Sequence, residues 1–185
     1  MEAYETLNHP RNRKLIKDNE GTIIKFRHLP TVCKDALIHY MSIDGAAWAV
    51  EDEWPDWRWG EGCPAVDSEL RDESLQDIEK FRSRFINDYG NIEFGFVQVP
   101  LDQLIKSVAF DEDIDAESFI KDIYITSDLA KSGWEYEKPT WPCIFSNYKH
   151  ETFQDGWTRF YRYAELKVQN VPCVWFVDQT VTPIN

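Results

Sequence analysis

The residues with the clearest chemical potential lie in one short run, Gln154-Asp155-Gly156-Trp157-Thr158-Arg159. A glycine between a strand and a helix lets the backbone come close to a ligand. The first amides of the helix that follows point outward at the positive end of its dipole, which makes an anion site. Arg159, three residues after Gly156, adds a guanidinium that can fork onto the same anion. Asp155 would repel a phosphate directly, so its candidate roles are a helix cap, a metal or base carboxylate, or an acceptor for a hydroxyl. A plainer reading pairs Arg159 with Asp155 or Glu165 as a surface ion pair.

Several elements must position that turn. Residues 142–146 are an apolar strand, 147–150 a polar turn and 151–154 a second strand. Trp157, Phe160, Tyr161, Ala164 and Val168 then recur at helical spacing and form one inward stripe, while Thr158, Arg159, Arg162, Glu165 and Lys167 face other directions. Residues 171–177 return as a strand too apolar to be exposed on both faces. Upstream, 92–99 reads as a strand and Pro100 opens a helix whose inner stripe is Leu101, Leu104, Ile105 and Val108. Asp102, near the start of that helix, is a second candidate carboxylate. Further strand and helix patterns cover 21–27, 30–41, 68–88 and 127–133.

Asp111, Asp113 and Asp115 have the spacing of the first calcium-loop ligands. However, Ala116 stands where such a loop needs Gly, and Asp122 where it needs a bidentate Glu. A solvated turn with Asp115 capping the next helix is the expected structure. The four cysteines and four histidines are scattered, with no C-x-x-C pair, so reduced structural thiols are expected and no metal site.

The arrangement resembles the ParB/sulfiredoxin superfamily. The resemblance runs through Val99-Pro100-Leu101-Asp102-Gln103-Leu104, Ser127-Asp128-Leu129-Ala130-Lys131-Ser132-Gly133, Lys138-Pro139-Thr140-Trp141-Pro142-Cys143-Ile144-Phe145, the Gly156-to-Arg159 turn and Val171-Pro172-Cys173-Val174. It covers roughly residues 95–178. It implies an α+β fold, a small mixed β-sheet with flanking helices, carrying an N-terminal α/β extension. The expected division is an extension over 1–92 and the superfamily domain over 93–185. The family includes ATP-dependent sulfinic acid reductases, CTP-binding partition proteins, free-serine kinases and ParB-like nucleases. By resemblance, Gly156, Thr158 and Arg159 would hold nucleotide phosphate, with a nucleoside triphosphate and magnesium as the implied cofactors. Phosphotransferase or phosphohydrolase chemistry would follow, with Asp155 and Asp102 as candidate catalytic carboxylates. Sulfiredoxins place their catalytic Cys directly after the glycine. Trp157 stands there in this chain, so that reductase chemistry is not expected.

Charge narrows the partners. The 185-residue chain carries a net charge of −13. Such a surface repels duplex DNA, whose affinity for proteins comes largely from neutralised phosphates, and this argues against direct DNA binding. Much of the negative charge lies in residues 51–79, which hold eleven acidic residues against Arg58 and Arg71. Within that stretch Glu51, Asp52, Glu53, Trp54, Trp57 and Trp59 combine carboxylates with aromatic anchors, a composition suited to a basic protein partner. The alternative function is therefore a non-enzymatic acidic protein, of phage or mobile-element type, that binds and inhibits a basic nucleic-acid-processing protein. With no apolar run of membrane-spanning length and no signal-peptide pattern, a cytoplasmic location in a bacterium or an infected host cell is expected.

Overall fold

The computed structural model describes residues 9–40, 82–83, 86–87, 90–111, 113–119, 140–146 and 151–177. Contacts divide the chain into two compact units, Met1–Ile24 with Glu93–Asp178, and Lys25–Ile92 with Gln179–Asn185. Residues 9–24, grouped by sequence with the extension, thus belong to the same unit as the strands and helices of the C-terminal half.

The first unit is built on a mixed five-stranded sheet with flanking helices. In chain order its elements are α1 (Pro10–Asp18), β1 (Thr22–Lys25), β2 (Glu93–Pro100), α3 (Leu101–Asp111), β3 (Cys143–Phe145), β4 (Phe153–Asp155), α4 (Trp157–Glu165) and β5 (Asn170–Phe176), with α2 (Thr31–His39) lying between β1 and β2. The strand order is β1-β2-β5-β3-β4. β5 is therefore the middle strand, antiparallel to β2 and parallel to β3. Its central place explains its composition, since Val171, Cys173, Val174 and Trp175 are all fully buried. Pro172 is tolerated there because β3 joins only at Cys143↔Cys173, one residue later.

Alternate residues of the strands face three helices. Val97 and Val99 of β2, Val171, Cys173 and Trp175 of β5, Cys143 and Phe145 of β3 and Phe153 of β4 share one core with Leu15 and Ile16 of α1, Leu104, Ile105 and Val108 of α3, and Phe160, Tyr163 and Ala164 of α4. Trp175 is the bulkiest member, and its indole fits because its cross-strand partner is Gly95. A Cβ at Gly95 would lie 1.8 Å from that ring. Tyr163 closes the core from α4, donating its hydroxyl to the Trp141 carbonyl at 2.7 Å. Asp115 caps the turn after α3 by accepting from the amides of Glu117 and Ser118 at 3.1 and 2.9 Å.

In the second unit the described elements are a 3-10 turn (Phe26–His28) and α2. Phe26, Leu29, Cys33, Ala36, Leu37 and Ile38 are buried. Burial pushes the Cys33 thiol up to about 12. Arg82 forks onto Asp35 at 2.7 and 2.8 Å. The helices expected over 68–88 and 127–133 fall outside the described residues, apart from Arg82, Ser83, Ile86 and Asn87, which are helical.

Candidate functional site

β4 and α4 meet at Gly156, the N-cap of α4, whose φ of 99° and ψ of 19° are left-handed. That backbone favours glycine above other residues. A Cβ there would also lie 2.9 Å from the Cys143 Cα and 3.1 Å from Arg159 Nη2. The glycine therefore admits both the β3 backbone and the guanidinium. Its carbonyl starts α4 by accepting the Phe160 amide at 2.8 Å, and it lies 3.5 Å from the Cys143 thiol as a second donor. No side chain caps the helix.

Arg159 departs from the outward orientation expected of it. It is 2% exposed, and Nη2 donates to Asp155 Oδ2 at 2.5 Å. The physical reason is local: with no side chain at Gly156, the arginine folds back over the turn and meets the carboxylate one helical turn earlier. Glu165, the other candidate partner, pairs with Arg162 instead, at 2.5 Å. Thr158 is half-buried beside the turn. Trp157 is also half-buried, and its ring meets Phe153 edge-on at 5.4 Å between centroids. It thus closes the apolar stripe of α4 against β4.

Asp102 is placed elsewhere. It lies exposed in the first turn of α3, 3.7 Å from Lys106. Asp155 is level with Ile144 and Val174, whereas β2 ends at Pro100 opposite Asn170. Three strand spacings across and four residues along separate those positions, about 14 Å by about 13 Å. The structure therefore does not bring Asp102 and Asp155 together. Glu51, Asp52, Glu53, Trp54, Trp57 and Trp59 fall outside the described residues.

A second polar cluster, missed in the sequence, joins α1, α3 and the β3–β4 hairpin. His9 caps α1, its Nδ1 accepting the Asn12 amide at 3.0 Å. In the neutral ring the proton must then sit on Nε2, which faces Asp111 Oδ1 at 3.8 Å. Asp111 also accepts from Arg11, and from the Thr152 hydroxyl at 2.5 Å. Since Thr152 donates to Asp111, the Ser107 hydroxyl, 2.8 Å away, must donate to Thr152. Asn12 Nδ2 bridges the carbonyls of Ser146 and Thr152, both at 3.0 Å. His9 is fully buried, and burial first, then the Arg11 charge, lowers its pKa against the opposing pull of Asp111. No short motif announces this cluster, because its members come from distant parts of the chain.

Next to it, α1 and α3 border a groove of about 350 Å³, lined by Arg11, Lys14, Leu15, Asp18, Gln103, Lys106, Ser107 and Phe110. Among the described residues, no three His, Cys, Asp or Glu side chains are grouped to hold a metal ion. Also among them, no helix is long and apolar enough to cross a membrane. No family model matches the chain, nor does any curated protein or solved structure.

Proposed function

We propose that the β4–α4 turn binds the phosphate of a nucleoside triphosphate, the role that the ParB/sulfiredoxin resemblance implies for Gly156, Thr158 and Arg159. The observation that carries this reading is the left-handed Gly156 heading a nine-residue helix with no side-chain cap, beside a guanidinium already folded over the turn. An anion at this point meets the leading amides and positive end of α4. The Thr158 hydroxyl adds a donor from the first turn. Arg159 exchanges its carboxylate partner for phosphate, a trade between two charge-assisted acceptors of similar strength.

That exchange frees Asp155, which stands at the edge of the site with its side chain 19% exposed. It is the carboxylate available to magnesium accompanying a triphosphate, or to a hydroxyl acceptor in phosphoryl transfer. Asp102 is too distant to share that role.

The test is calorimetric titration of ATP, CTP, GTP and UTP with magnesium into wild type, Arg159→Lys and Arg159→Ala. Near-ultraviolet circular dichroism verifies that each variant is folded. The expected result is specific binding of one nucleotide, weakened in Arg159→Lys and lost in Arg159→Ala. Binding of no nucleotide, or equal affinity in the folded Arg159→Lys variant, overturns the reading.

A further inference from the structure

The groove between α1 and α3 has features that the turn does not explain. Its apolar surface comes from Leu15, the ring of Phe110 and the methylene stems of Lys14 and Lys106. Phe110 is 71% exposed at the end of an otherwise well-packed helix. Arg11 lies over that ring with its guanidinium carbon 4.1 Å from the centroid. The cation and the ring thus stack together in the lining of the groove.

The charge of the groove is opposite to that of the chain. Arg11, Lys14 and Lys106 line it against the single carboxylate of Asp18, in a protein of net charge −13. Lys14 stands on one bank and Lys106 on the other. Among the described residues, each is engaged only by an exposed neighbour on its own helix, Asp18 and Asp102 respectively. Such exposed pairs are weak and give way readily to a better-placed anion. Arg11 contributes a further demand: its Nη1 is buried and has no hydrogen-bond partner among the described residues. Ser107 adds a hydroxyl to the lining, and behind it stands Thr152, 2.8 Å from that hydroxyl.

We propose that this groove is a binding site for a small organic anion with a flat apolar body, carrying a carboxylate, sulfonate or phosphate head. The volume suits that class. A cavity of about 150 Å³ accommodates benzene, and ligand sites begin near 300 Å³, so about 350 Å³ takes a bicyclic body plus one charged group. The body lies along Leu15 and Phe110, and the head bridges the ammonium groups of the two banks. This site is separate from the β4–α4 turn and does not depend on nucleotide binding there.

The probe is 1-anilinonaphthalene-8-sulfonate, titrated into the folded full chain and followed by its fluorescence, with calorimetry for stoichiometry. The expected result is saturable one-to-one binding that weakens with salt. The double variant Lys14→Glu/Lys106→Glu weakens it about tenfold or more, as expected when two attractive contacts become repulsive. Lys14→Arg/Lys106→Arg retains it, and Phe110→Ala weakens it. Lys17→Glu, on the same helix but outside the groove, leaves it unchanged. Absence of saturable binding overturns the proposal. So does wild-type affinity in the double Glu variant, or an equal loss in Lys17→Glu, which would mark general attraction rather than a site. Arg159 variants leave this titration untouched, so its failure is distinct from failure of the nucleotide reading.

Discussion

Arg159 donates to Asp155 from one helical turn downstream, across a glycine whose missing side chain leaves room for the guanidinium. The pair stands in the interior, the arginine almost wholly so. A buried ion pair is seldom a large net gain in stability, but breaking one is costly because a charge is left behind. The pair holds the turn, and in the nucleotide reading proposed above it is the contact that a phosphate would displace.

Asp155→Asn is therefore expected to destabilise the protein by about 3 kcal/mol, the low end for a broken buried pair because Asp155 is partly open to water. Urea unfolding measures this. If the turn is a phosphate site, the variant also regains stability when the nucleotide identified by titration is added, because ligand that binds only the folded state stabilises it. Loss of stability without recovery would show the pair to be structural alone.

Gly156→Ala places a Cβ on a left-handed residue and against the Cys143 backbone. The expected cost is about 1–3 kcal/mol, read as a lower thermal midpoint. Gly156→Asn, which tolerates the left-handed region better, should cost less than Ala at this position. An Ala variant as stable as wild type would mean that the turn relaxes freely.

His9 makes stability depend on pH. Its folded-state pKa lies below the ordinary value of 6.5, so the unfolded chain binds more protons as pH falls past that value. Stability then rises with pH through this window and is lost on acidification from about 6.5 downward. The difference between wild type and His9→Asn, followed by denaturant unfolding across that range, isolates the contribution. Asn retains a cap for α1 without titrating. Parallel pH profiles for the two proteins would remove His9 as the cause.

Asn12 holds two strand-end carbonyls with one amide nitrogen. Asn12→Ala leaves both buried acceptors without that donor and is expected to cost about 2–4 kcal/mol. Asn12→Asp should be worse, because a carboxylate would face two carbonyl oxygens. Urea midpoints of the two variants, compared with wild type, test both the size and the order.

Local pattern made much of this architecture readable. Pro100 ends β2 and starts α3, Gly156 separates β4 from α4, and the apolar run at 171–177 matches the central strand. The stripe of α4 is also as its spacing implies, with Phe160 and Ala164 buried and Trp157, Tyr161 and Val168 packed at the edge. Arg159 was not readable in this way. A charged residue off the apolar stripe is normally outside, and only a bare turn with a carboxylate beside it draws the side chain inward. The cluster around Asp111 was equally hidden. Arg11 and Asp111 are 100 residues apart, so nothing in the sequence pairs them. The strand order, too, follows from β5 inserting between β2 and β3, an event no local signal marks.

The Asn12 bridge also sets a schedule for the nascent chain. Asn12 and its first acceptor, Ser146, are 134 residues apart. At a synthesis rate of about 5–20 residues per second, α1 leaves the ribosome roughly 7–27 seconds before the carbonyls it must hold exist. Until then its buried face, with Leu15 and Ile16, has no β3–β4 hairpin to close against. This helix is made well before the strands it packs against and cannot find its place until they exist. Its apolar face is the surface a ribosome-associated chaperone would have to shield in the interval.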